Sequence, residues 1–171
     1  VMKMAQAFLK SGHTIHMLAP KTRPGPAPQW EELARHYGLC QEHPFSINWQ
    51  PTNPRLRRYD FSLRAVNQAR RWEADLIYTR LPQAAALAAA LGSQTILETH
   101  DLPQGVLGPW LFRCFLKSRG ACRLVVITHA LGRDLAQQLS APKSPPFTVI
   151  APDGVDLERY TELPAPREAR M

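Results

Sequence analysis

Acidic residues are scarce in this chain: 14 Asp and Glu stand against 21 Lys and Arg in 171 residues, a formal net charge of +7. That excess favours anionic partners, whether nucleic acid, phosphorylated small molecules or an anionic membrane surface, without choosing among them. Long apolar runs are missing too. The longest, residues 84–91 and 106–111, fall far short of the ~18 residues that a membrane helix needs. No basic and apolar signal segment opens the chain. Cysteine is sparse: Cys40, Cys114 and Cys122 form no CxxC pair and cannot all be joined internally. The expectation is reduced thiols in a cytoplasmic setting. No Cys/His group shows metal-ligand spacing, so no metal is expected. RNP aromatics, a zinc finger and a KH-type GXXG loop are all missing, so nucleic acid is not the expected partner. No internal repeat with a period of roughly 20–50 residues occurs.

What is present is an ordinary globular composition, 44% apolar and 20% charged, in a length that suits one domain with a sizeable core. Residues 2–10 read as a helix, with Gly12 placed for a left-handed C-cap. Residues 13–19 read as a strand. Residues 20–28 hold Pro20, Pro24, Pro26 and Pro28 and read as a loop. A short helix over 29–37, a strand over 45–49 and a longer helix over 54–73 follow. From there the alternation is regular. Strands are expected over 75–78, 94–98, 123–127 and 147–151, and helices over 82–91, 106–119 and 129–139. Pro82 opens its helix at the first-turn position that proline tolerates. Residues 161–171 read as the start of a linker, leaving 1–160 as the domain. Strands alternating with helices of about ten residues imply βαβ units and a mostly parallel sheet. The expected fold is α/β, Rossmann-like and doubly wound.

Open α/β sheets bind ligands beyond the carboxyl ends of their strands. The residues falling there are Lys21 and Thr22, then Thr79 and Arg80, then Thr99, His100 and Asp101, then Thr128 and His129, and finally Pro152, Asp153 and Gly154. Several have plain structural alternatives. Thr128 suits the N-cap of the next helix, although a helix start also suits an anion. Asp153-Gly154 suits a turn. His100 suits a packed sheet-edge position, Asp101 a helix cap, and Arg80 an ion pair. In the helix over 54–73, Arg57, Arg64 and Arg71 lie seven apart and share a face. That face is either simply solvated or a docking surface for an anionic membrane or a phosphorylated acceptor.

Three segments together resemble the acceptor-side, N-terminal domain of family 4 glycosyltransferases with the GT-B fold. The first is Ala5-Gln6-Ala7-Phe8-Leu9-Lys10-Ser11-Gly12-His13. The second is Ile96-Leu97-Glu98-Thr99-His100-Asp101-Leu102-Pro103. The third joins Val125-Val126-Ile127-Thr128 to Val149-Ile150-Ala151-Pro152-Asp153-Gly154-Val155-Asp156, continuing to Tyr160. The resemblance implies sugar transfer with retention from a nucleotide-sugar donor, without metal or other cofactor. It implies an acceptor held on this domain and a donor held mainly on a second one. His100 would line the cleft as the catalytic residue. Arg80, Asp101, Thr128, Asp153 and Gly154 would contribute to substrate binding. It also implies a first strand in mid-sheet and a glycine-rich loop, both preceding the position of Val1. The expectation is therefore part of a larger, two-domain protein, cytoplasmic or peripheral to a membrane, and inactive by itself. The alternatives are a non-catalytic Rossmann-like module binding an anionic ligand or protein partner, and a sugar-nucleotide epimerase of GT-B architecture.

Overall fold

The computed structural model describes residues 1–21, 25–56, 59–139, 148–152 and 154. Its elements run α1 (Met2–Lys10), β1 (His16–Lys21), α2 (Trp30–Tyr37), β2 (Ser46–Pro51), a 3₁₀ turn (Pro54–Leu56), α3 (Tyr59–Arg71), β3 (Ile77–Thr79), α4 (Pro82–Ala90), β4 (Thr95–Thr99), α5 (Leu107–Lys117), β5 (Ala121–Val126), α6 (His129–Gln138) and β6 (Thr148–Ile150). All strand pairs are parallel, and the architecture is Rossmann-like α/β.

The strands form two sheets, β1-β2 and β3-β4-β5-β6. Among the described residues β1 pairs only with β2, and β3 only with β4. Residues of both open edges, including Met17 on β1 and Ile77 on β3, line one apolar groove with Phe61 of α3. Phe8 of α1 reaches across to Tyr78 of β3, with ring centroids 5.7 Å apart. His16 stacks on Trp72 at 4.7 Å, and its Nε2 is buried without a hydrogen-bond partner. Among the described residues the open edges of β1 and β3 thus face a common apolar groove.

The main core joins α4, β4, α5, β5 and α6 through Ala85, Leu97, Phe112, Phe115, Val126 and Leu135. A second cluster holds α1 and α2 on the β1-β2 sheet. α4 has the sequence PQAAALAAA, and Ala84, Ala85, Ala86, Ala88 and Ala89 are all buried. A helix so rich in alanine buries most of its surface, and its methyl side chains allow close approach by its neighbours. Gly120 makes the tightest join: a Cβ there would stand 2.4 Å from the Ser93 carbonyl and 2.7 Å from that of Ala89. Gly12 follows the α1 C-cap with φ +88°, as its position in the sequence suggested.

Most differences from the sequence expectation are shifts of element ends, with two larger ones. The strand expected over 13–19 runs over His16–Lys21, so Pro20 lies inside it and pairs in register with Gln50. Proline is tolerated there because β1 is an edge strand among the described residues. The helix expected over 54–73 is a 3₁₀ turn followed by α3, and Arg57 lies outside the described residues. So do Thr22, Asp153 and residues 155–171, hence also the expected linker. No helix among the described residues is long and apolar enough to cross a membrane.

Candidate functional site

β3 and β4 lie side by side in the register Tyr78↔Ile96 and Thr79↔Leu97. One step further, Arg80 comes level with Glu98. Side chains two apart on a strand share a face, so Tyr78 with Arg80 and Glu98 with His100 form a four-residue cluster across the strand ends. Glu98 is its centre. The residue is 5% exposed, and its carboxylate accepts three hydrogen bonds. Tyr78 Oη donates to Oε2 at 2.7 Å. Arg80 Nη2 and His100 Nε2, at 2.6 Å, both contact Oε1.

Burial pushes the Glu98 carboxyl up, but the hydrogen bonds from Arg80, His100 and Tyr78, with the Arg80 charge, outweigh it. The group is held below the usual carboxylate range. Burial, and then the bond to Glu98, push the Tyr78 hydroxyl well above the ordinary tyrosine range. An ionised carboxylate can only accept. The His100 Nε2 therefore carries the proton, and in the neutral ring Nδ1 is left as an acceptor. The cluster has one buried anion, Glu98, with Arg80, Tyr78 and His100 donating to it.

Held by Glu98, His100 does not project freely over the sheet edge. The ring is tethered, and its side chain is 29% exposed. It lines a cleft with Arg80, Asp101, Gln104 and Gly108. The loop between β4 and α5 is fixed to the body of the domain: Gln138 Nε2 donates to the Pro103 carbonyl at 3.0 Å, and Thr99 Oγ1 donates to the Asp101 carbonyl at 2.8 Å. Arg80 forms the ion pair with Glu98 while keeping 37% of its side chain exposed. Thr128 caps α6, its hydroxyl accepting from the Leu131 N–H at 3.1 Å. A Cβ added at Gly154 would meet nothing within 4 Å, whereas Asp153 lies outside the described residues.

Glu98 was missed as a site residue. The available signal was a carboxylate in an otherwise apolar β-run, two residues before a histidine, with a Tyr-x-Arg pair one strand earlier. Of the face expected from Arg57, Arg64 and Arg71, Arg64 pairs with Asp60 four residues before it, Arg71 is exposed, and Arg57 lies outside the described residues.

A second polar group escaped the spacing argument against metals. Cys40, Glu42 and His43 bring their ligand atoms within 4.8 Å of one another, with Glu42 and His43 exposed. Gln6, buried in α1, staples that loop. Its amide donates to the Cys40 and His43 carbonyls at 2.8 and 3.1 Å and accepts from the Cys40 N–H at 2.8 Å. A thiolate, a carboxylate and an imidazole are donors that suit a borderline ion such as zinc, and this donor set lies in the loop between α2 and β2, away from the Glu98 cluster.

No curated protein and no solved structure matches the chain. The sequence model described as Glycosyltransferase Family 4 matches residues 1–159, a span that includes every strand and helix above and the whole Glu98 cluster. In agreement with its parallel Rossmann-like architecture, the chain belongs to glycosyltransferase family 4.

Proposed function

We propose that this domain is the acceptor side of a transferase that moves a sugar, with retention, from a nucleotide-sugar donor to an acceptor lying in the cleft beside His100. Family membership supports the reaction class. The observation that carries the site is the His100 imidazole, fixed through Nε2 by a buried carboxylate and turned towards an open cleft. Glu98 acts as a positioning residue: it sets the tautomer and angle of the ring, leaving Nδ1 to meet a sugar hydroxyl. Arg80 keeps Glu98 ionised and offers its exposed nitrogens to a polar acceptor or to a donor phosphate. Asp101, Thr128, Asp153 and Gly154 complete the proposed substrate contacts along the strand ends. In a retaining transfer the departing phosphate can take the acceptor proton, so His100 is assigned to positioning rather than to general-base chemistry.

A hydrogen bond realised in the transition state is worth roughly 2–4 kcal/mol, on the order of a hundredfold in rate. The test is His100→Ala in the transferase that carries this domain, with turnover and thermal unfolding followed together. A loss of that order with little change in unfolding is expected. Unchanged turnover in a less stable variant would make His100 a packing residue.

A further inference from the structure

The outward side of α5 carries apolar groups that no part of the described chain covers. Val106, at the helix start, is 89% exposed, Leu107 57% and Trp110 56%. The inward side buries Phe112 and Phe115 in the main core, so the helix orientation is fixed and the exposed side is no accident of a loose element. Steps of four, three and four residues carry the same outward stripe from Val106 and Trp110 to Arg113 and Lys117, both exposed. Neither cation takes part in an ion pair among the described residues. The surrounding sequence is one-signed: between Asp101 and Asp134 there is no carboxylate, while Arg113, Lys117, Arg119, Arg123 and Arg133 are all cationic.

We infer that this side of α5 seats the domain on an anionic lipid bilayer. An interfacial helix needs an apolar end to enter the headgroup boundary, an aromatic amphipath at that boundary and cations that reach lipid phosphates. Val106 and Leu107 supply the first, Trp110 the second, and Arg113 and Lys117 the third. A protein partner would also cover apolar groups. Arg113 and Lys117, exposed on the same stripe, complement a surface that is negative throughout, which favours lipid. The hollow beneath Val106 and Leu107 shares Pro82, Gln104 and Gly108 with the cleft of His100. Docked on this side, the domain opens its cleft beside the headgroups. The proposal stands whether or not the domain transfers sugar.

The test needs no sugar substrate. The 171-residue chain is sedimented with vesicles of phosphatidylcholine alone and of phosphatidylcholine mixed with phosphatidylglycerol. Binding to the mixed vesicles only, weakened by salt, is expected. Each cation near an anionic surface contributes about fivefold, so Arg113→Ala/Lys117→Ala should bind roughly 25-fold more weakly. Brominated lipid should quench tryptophan emission in the parent and much less in Trp110→Phe. Thermal unfolding of each variant should match the parent, because the altered side chains lie on the surface. No sedimentation with anionic vesicles, equal binding to neutral ones, or binding indifferent to both variants would overturn the proposal. So would a concentration-dependent dimer abolished by Trp110→Ala, which would make the surface a protein interface.

Discussion

Replacing Glu98 by Gln removes one charge from the centre of the cluster while preserving its shape. Breaking a buried ion pair on one side costs about 3–5 kcal/mol. The Arg80 side chain keeps 37% of its surface in water, so it recovers part of its hydration, and the figure falls to about 2 kcal/mol. The pH dependence is the sharper part. Glu98 titrates below the usual carboxylate range in the folded chain. Its contribution is therefore complete above about pH 5 and is lost as the pH falls through its folded value. Urea unfolding of parent and Glu98→Gln at neutral and acid pH measures both effects. The parent should be more stable by about 2 kcal/mol at pH 7, and the difference should shrink on acidification. A difference within error at pH 7, or one that widens towards acid, would refute the assignment of an ionised, three-fold hydrogen-bonded carboxylate.

Other outcomes follow from single contacts. Gly120→Ala should lose about 3 kcal/mol in the same unfolding experiment, since its Cβ would meet the Ser93 carbonyl at 2.4 Å and overpacking typically costs about 1–3 kcal/mol or more. In an alkaline absorbance titration one tyrosine should ionise well after its fellows, because Tyr78 is raised by burial and by Glu98; Tyr78→Phe should remove that late component. Thr128→Ala should cost about 1 kcal/mol of stability through the lost α6 cap, and a stability loss with unchanged substrate affinity would restrict Thr128 to capping.

The regular half of the fold was legible because its periods are clean. Residues 124–127 are apolar on consecutive positions and 84–90 are alanine apart from Leu87, so strand and helix differ plainly in composition and length. The β1 boundary was not legible, because Pro20 signals a break in any local reading while an edge strand can absorb it. The start of α3 was blurred for a related reason: Pro54 suits either a helix start or a 3₁₀ turn, and the chain turns where Asp60 accepts from the Asn53 N–H at 2.9 Å and Asn53 Oδ1 accepts from the Arg55 N–H at 3.0 Å. Site location followed from topology, since Arg80, His100 and Thr128 all fall at strand ends. Site wiring did not. It depends on the β3–β4 register, which brings Arg80 level with Glu98, and register is a tertiary property that neither strand specifies alone. The Gln6 staple and the Cys40–Glu42–His43 group depend likewise on packing between segments distant in sequence.

The central claim is that Glu98 serves sugar transfer by holding His100. A double-mutant cycle on turnover, in the transferase that carries this domain, tests it most directly. Glu98→Gln and His100→Ala should each slow transfer, and the double variant should be little slower than His100→Ala alone, because a positioning group has nothing left to position. Losses that multiply in the double variant would contradict the account and make the two residues independent contributors.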